Sequence, residues 1–336
     1  MAVPRALWLD GLVAKSPFLA DLHSRFGLAR PQIVRLAERA AGRHVEAIER
    51  LIRGYDNEVY RATLTDGLVV YVRIRRHGEG TLEQEAWAME LARTGGVPVP
   101  EVLDVDAASD LADGHPVMVV AAAPGQQLEG VLAAASDAER RQVLSGLGGE
   151  LARLHSIAMP GVWRPDDAGR WPDPDELREG FGRDRRNERD QLVAAGMTDA
   201  EVDRVMALLD LSPDPPRAGF VLCHGDVSPE HVFVDARRQV SGLIDWGMWH
   251  GGSPTGELAY VADAFGWRDL EPILQGYGYG PVMRDGELHR LLTTLAVQLI
   301  GHIAHHVAIG DPDGAASNVA AVRRALHVLD GNAGTD

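Results

Sequence analysis

The stretch Val221-Leu222-Cys223-His224-Gly225-Asp226-Val227-Ser228-Pro229-Glu230-His231-Val232-Phe233-Val234-Asp235-Ala236-Arg237-Arg238-Gln239-Val240-Ser241-Gly242-Leu243-Ile244-Asp245 decides how the rest of the chain is read. Val221 and Leu222 lead into a polar loop, Val232 to Val234 form a second apolar run, a turn follows at Ala236 to Arg238, and Val240, Leu243 and Ile244 return. Such a hairpin brings its ends together, so Asp226 and His231 on the loop and Asp245 at the far strand end can surround one small volume. Two carboxylates held close repel unless a proton or cation lies between them, and a divalent metal is the obvious cation. The hairpin alone also admits a plainer reading, with Asp226 capping a turn, Asp245 opening a loop and His231 buried.

Upstream, helical spacing runs from Pro31 through Ile33, Val34, Leu36, Ala37 and Ala40 to a stop at Gly42. The period then shifts to two. Val59 to Leu64 and Leu68 to Ile74 flank Asp66-Gly67, a strong hairpin signal. Alternation puts Val70, Val72 and Ile74 on one face and Val69, Tyr71 and Arg73 on the other. Thr81-Leu82-Glu83-Gln84 is a capping box opening a helix that stops near Thr94-Gly95-Gly96. Its apolar stripe of Leu82, Ala88, Met89 and Ala92 includes Glu85, a charge that needs a partner if buried. Val102 to Val105 and Val117 to Ala122 read as strands, and Ala123-Pro124-Gly125 breaks the pattern.

Beyond that break the chain turns helical. Ser136-Asp137-Ala138-Glu139 is a second capping box, with Val143, Leu144, Leu147, Leu151, Leu154 and Ile157 on one face. Residues 160–190 are rich in Pro, Asp, Arg, Trp and Gly, and Thr198 opens another helix. Near the C-terminus Leu291, Leu292, Leu295, Leu299 and Ile303 share a face. His302, His305 and His306 lie beside them, as helix surface, as pocket lining or as a metal centre lacking a second ligand motif.

Taken in order, His224-Gly225-Asp226, His231 five residues on, and Ile244-Asp245-Trp246 resemble the core of the aminoglycoside and macrolide phosphotransferase family, whose fold is similar to that of protein kinases. The resemblance spans about residues 31–330. It implies an α+β, bilobal, protein-kinase-like fold: an extension and helix over 1–43, a small antiparallel-sheet nucleotide lobe over 44–123, and a mostly helical lobe over 124–336 carrying the catalytic loop and substrate pocket. It implies Asp226 as the base acting on an acceptor hydroxyl, His224 as a brace for the loop, and His231 and Asp245 as metal ligands. It also implies Arg73, paired with Glu85, on the nucleotide phosphates, and Gly54 to Asn57 in the phosphate-covering loop. The co-substrate is then ATP or GTP with magnesium or manganese, and the hinge lies at Ala123 to Gly125. The family usually has Asn where His231 stands, although its macrolide-modifying branch tends to carry His. Where the family continues Gly-Asp-Pro-x-x-Asp-Leu-Ala, this chain has Gly252-Ser253-Pro254-Thr255-Gly256-Glu257-Leu258-Ala259, so loop support is expected from Glu257 in altered form.

Composition is consistent with this. A chain of 336 residues suits two lobes, and a net charge of −16 argues against a nucleic-acid partner and suits cationic ones. Cys223 is the only cysteine, which excludes a disulfide within the chain and fits a cytoplasmic setting. No signal peptide is visible and no run approaches the ~18 uninterrupted apolar residues of a membrane span. The expectation is a cytoplasmic monomer or homodimer that phosphorylates a hydroxyl of a small molecule, a macrolide or an aminoglycoside. The alternatives are a kinase of another hydroxylated metabolite and an inactive nucleotide-binding relative, the latter suggested by His231, Ser253 and Glu257.

Overall fold

Strand pairing in the N-terminal part follows the two-residue periodicity of the sequence. The structure, a computed structural model, describes residues 23–25, 27–52, 57–77, 80–211, 219–278 and 285–330. The chain divides into two units, Met1–Trp87 with Pro100–Ala122, and Ala88–Val99 with Ala123–Asp336.

Helix α1 (Arg30–Ala41) precedes strands β1 (Val45–Leu51), β2 (Asn57–Leu64) and β3 (Val69–Arg75), then helix α2 (Leu82–Thr94), β4 (Val102–Ser109) and β5 (His115–Ala121); all of these but α2 from Ala88 onward belong to the first unit. The five strands form one sheet in the order β1-β2-β3-β5-β4, every pair antiparallel. Alternation works as the sequence predicts: Tyr60, Ala62 and Leu64 of β2 and Val70, Val72 and Ile74 of β3 are buried against Ile33, Leu36 and Ala37 of α1. Each fully buried side chain of that size contributes roughly 1.5–3 kcal/mol, so the amphipathic stripe alone seats the helix on the sheet. The Asp66-Gly67 turn closes with Gly67 at φ 83°, and Thr81 caps α2 by accepting from the Gln84 amide at 3.2 Å.

The second unit holds β6 (Gln126–Gln127), α3 (Leu128–Ala134), α4 (Asp137–Leu154), β7 (Ala158–Met159), α5 (Pro174–Asn187), α6 (Arg189–Ala194), α7 (Asp199–Leu208), β8 (Phe220–Cys223), β9 (Val232–Val234), β10 (Val240–Leu243), β11 (His250–Gly252), α8 (Pro254–Phe265), α9 (Trp267–Tyr277), α10 (Asp285–Ile309) and α11 (Pro312–Leu329). Two small sheets, β10-β9-β6 and β11-β8-β7, lie among the helices. β9 and β10 form the expected hairpin, but β8 pairs with β11 and β7 instead, so the loop between β8 and β9 bridges two sheets. The helix from Ser136 ends at Leu154, and Ile157 lies beyond it rather than on its face.

Helices α4 and α9 approach to backbone contact. A Cβ at Gly148 would stand 2.0 Å from the Ile273 carbonyl oxygen, and one at Gly276 would stand 1.9 Å from that of Ser145. Only glycine permits this approach. In α10, Leu291, Leu292, Leu295, Leu299 and Ile303 are buried, and the helix packs on α8 and α11. Its span Leu288–Ile309 is long and apolar enough to cross a membrane by composition, with mean hydropathy 1.3, yet half of the apolar window is buried inside the protein.

Candidate active site

The loop from His224 to His231 is shaped by its own side chains. His224 is fully buried; its Nε2 donates to the Ile244 carbonyl oxygen at 2.9 Å, which leaves Nδ1 to accept the Asp226 amide at 3.2 Å. Burial pulls its pKa down to about 4, so the imidazole is neutral and can fill both roles. Trp246 packs edge-on against it with ring centroids 4.7 Å apart. Gly225 stands at φ 83°, where a Cβ would lie 2.1 Å from the Met248 carbonyl oxygen. The turn therefore requires glycine, and it presents Asp226 at the loop surface.

Asp226, His231 and Asp245 come together, each offering a ligand atom within 4.8 Å of the others. His231 Nδ1 donates to the Asp226 carbonyl oxygen at 2.8 Å and lies 3.4 Å from Asp226 Oδ2. In the neutral ring Nε2 then carries the lone pair, and it faces Asp245 Oδ2 at 3.7 Å. A lone pair facing a carboxylate needs a proton or a cation between them. Burial would lower the His231 pKa, but Asp245 and Asp226 outweigh it and raise it. The Asp226 side chain is 49% exposed, yet it sits recessed enough that lost hydration pushes its pKa up, and the Asp245 charge adds to this. Two carboxylates and an imidazole with a free Nε2 fit a divalent cation; the oxygens suit magnesium, and the imidazole shifts the balance towards transition ions such as manganese.

Support comes from α8. Ser253 caps that helix by accepting the Gly256 amide at 3.1 Å, so the serine in place of the expected Asp has a local structural role. Glu257, fully buried, accepts the Gly225 amide on Oε1 at 2.7 Å and faces His155 Nε2 through Oε2 at 2.7 Å. His155 in turn meets the Tyr277 hydroxyl at 2.8 Å through Nδ1. Burial alone would raise the Glu257 pKa, but the His155 hydrogen bond and charge, His224 and the Gly225 amide bring it down to about 2. His155, just past the end of α4, thus has in Glu257 a partner 102 positions away that no local pattern announces. Cys223 lies beside this pair, buried, with its thiol pKa pushed well up by burial.

In the first unit, Arg73 on β3 bonds Glu85 on α2, and Arg75 reaches the other oxygen of Glu85 at 3.0 Å. Glu85 is 1% exposed and thus carries two arginines where sequence reading paired it with Arg73 alone. The signal was present, since residues two apart on a strand share a face. A second buried carboxylate, Glu58, takes Arg76 at 2.6 Å, Arg50 at 3.1 Å and the Tyr60 hydroxyl at 2.5 Å, and no motif pointed to it. Asn57 opens β2, its Oδ1 buried without a hydrogen-bond partner among the described residues. Gly54, expected in the phosphate-covering loop, lies outside the described residues.

His302 and His306 each take a separate partner. His302 Nε2 meets the Tyr260 hydroxyl at 3.0 Å, and His306 Nδ1 lies 3.0 Å from Asp311 Oδ2. Among the described residues they do not gather into a ligand cluster. Burial raises the Tyr260 pKa, Arg185 opposes this, and Asp226 and Asp263 add to it, so Tyr260 is within electrostatic reach of the loop. Trp249 is core, 1% exposed, and Tyr277 packs edge-on against His155.

Residues 47–291 match the model of the phosphotransferase enzyme family. Among curated proteins, mouse acyl-CoA dehydrogenase family member 10 is 26% identical over 235 residues, 67% of this chain, and the chain spans about a fifth (21%) of that protein's length. Among solved structures, the GDP and kanamycin complex of APH(2")-IIIa aligns with a TM-score of 0.65 at 15% identity, covering 89% of this chain and 98% of that one. A ternary complex of aminoglycoside phosphotransferase APH(4)-Ia with ADP and hygromycin B aligns with a TM-score of 0.62 at 16% identity, covering 90% of this chain and all (100%) of that one. These likenesses establish the α+β antibiotic-kinase fold, with an antiparallel sheet in the N-terminal unit and helices dominating the C-terminal one. The family match covers most of the sequence, His224-Gly225-Asp226 and Asp245 included, and this chain belongs to the phosphotransferase enzyme family.

Proposed function

We propose that the protein transfers the γ-phosphate of ATP or GTP to a hydroxyl of a small molecule, and that the acceptor is an antibiotic of the macrolide or aminoglycoside class. The observation that supports this reading best is the convergence of Asp226, His231 and Asp245 within 4.8 Å. Asp226 is the base: it orients the acceptor hydroxyl and takes its proton, and its raised pKa suits that task. Asp245 and the Nε2 of His231 would hold the divalent ion, which when bound neutralises charge on the nucleotide phosphates. His224 and Glu257 keep the loop in place without taking part in proton transfer. Arg73, oriented by Glu85, would meet the phosphates, with Asn57 beside them. Little covalent chemistry is asked of the protein, so positioning and charge carry the rate.

The whole chain carries a net charge of −16, which suits an acceptor bearing amino groups. A cytoplasmic setting, where nucleotides are abundant and Cys223 stays reduced, fits the same reading.

The test is phosphate transfer from ATP and from GTP, with magnesium or manganese, to a panel of macrolides and aminoglycosides. Transfer to one class, abolished by Asp226→Ala with nucleotide binding retained, is the expected result. Absence of nucleotide binding in the wild type would overturn the proposal.

A further inference from the structure

The segment following Asp245 is gripped by one buried arginine that belongs to no motif. Arg164, 8% exposed, donates from Nε to the Trp249 carbonyl oxygen at 2.6 Å and from Nη2 to that of Gly247 at 2.5 Å. Its guanidinium carbon lies 5.6 Å from the ring centroid of Trp163 and 5.6 Å from that of Trp249. Arg164 is itself anchored by a two-way backbone bridge, Trp163 amide to Gly251 oxygen at 2.7 Å and Gly251 amide to Trp163 oxygen at 2.8 Å. The bridge leaves no room for variation, since a Cβ at Gly251 would stand 2.0 Å from the Gly161 carbonyl oxygen.

Both ends of this arrangement hold backbone strain. Trp163 stands at φ 63° and Asp245 at φ 62°, two of only four non-glycine residues with positive φ among the described residues. Such a conformation costs about 1–3 kcal/mol per residue and persists only where its surroundings enforce it. Gly247 lies against the metal-ligand candidate, for a Cβ there would be 3.6 Å from Asp245 Oδ1.

We infer that Arg164 is a positioning residue for Asp245: by tying the Gly247 and Trp249 carbonyls it holds the turn in the left-handed form that turns the Asp245 carboxylate towards His231. A planar guanidinium can span two carbonyls while stacking between two rings, and an ammonium cannot do both. The inference rests on the reading of Asp245 as a cation-holding residue.

The experiment is Mn²⁺ titration of the full-length protein in the presence of ADP, followed by electron paramagnetic resonance, for the wild type, Asp245→Asn, Arg164→Lys and Arg164→Ala. Asp245→Asn should lose ADP-dependent Mn²⁺ binding. Arg164→Ala should weaken it about 10-fold, as loss of an outer support of a metal ligand does, and Arg164→Lys should fall between. ADP affinity measured without metal should stay within about twofold in both arginine variants, a split that general destabilisation would not produce. Wild-type Mn²⁺ affinity in Arg164→Lys and Arg164→Ala, with Asp245→Asn impaired, would overturn the role of Arg164 alone. Should Arg164→Ala not fold, the lysine variant decides in the same way. Unchanged binding in Asp245→Asn would overturn the metal reading of Asp245 and the inference with it.

Discussion

The Gly225 amide donates to Glu257 Oε1 at 2.7 Å, across 32 positions of sequence, and ties the turn before Asp226 to the first turn of α8. Because Glu257 is also bonded to His155, one buried carboxylate holds the His224–His231 loop, α8 and the end of α4 together.

Replacing Glu257 therefore affects stability and rate together. Glu257→Ala leaves a buried amide and an imidazole without their acceptor, a loss of about 1–3 kcal/mol for each unsatisfied group. Glu257→Gln keeps an acceptor for Gly225 and should lose less. Urea unfolding alongside phosphate-transfer kinetics checks both. Equal stability of wild type and alanine variant would contradict the assignment.

Acid should destabilise the protein in two windows. The Glu257 pKa in the folded state is about 2, below its usual 4.5, so its contribution is present above about pH 4.5 and lost as pH falls towards 2. His224 and His302, near 4 against 6.5, are held neutral by burial; their contribution is present above about pH 6.5 and lost as pH falls towards 4. Unfolding midpoints between pH 7 and 3 should show His302→Gln with a flatter slope in the upper window. The gap between wild type and Glu257→Gln should narrow only below about pH 4.5.

Gly225→Ala forces a side chain to 2.1 Å from the Met248 oxygen at a φ of 83°. Movement of the loop is the only relief, so the rate should fall more than ~10-fold, with a stability loss of about 1–3 kcal/mol. Gly146→Ala, in α4 with no atom within 4 Å of the new Cβ, is the control and should stabilise by about 0.5–1 kcal/mol.

Glu85→Gln weakens the pairing of two buried arginines and should destabilise the N-terminal unit by about 3 kcal/mol. Arg75→Ala leaves the Arg73–Glu85 pair in place and should change the KM for nucleotide less than Arg73→Ala does. Thermal melts and steady-state kinetics of the three variants separate these effects, and equal KM changes for the two arginines would count against Arg73 as the phosphate contact.

By itself the sequence determined what a few neighbouring residues decide. Asp66-Gly67 set the β2–β3 hairpin, Thr81 and Ser136 set helix starts, and alternation in β2 and β3 chose the buried face, because turns, caps and periodicity act within one or two turns of chain. Asp226, His231 and Asp245 were legible together since a single hairpin joins them. The tertiary structure alone decided the pairing of β8 with β11, the bond of Glu257 to His155, and the grip of Arg164 on Gly247 and Trp249. Those contacts join residues brought together by packing, such as the glycine-to-backbone crossing of α4 and α9, and a buried charge announces its need for a partner without specifying which distant side chain will meet it.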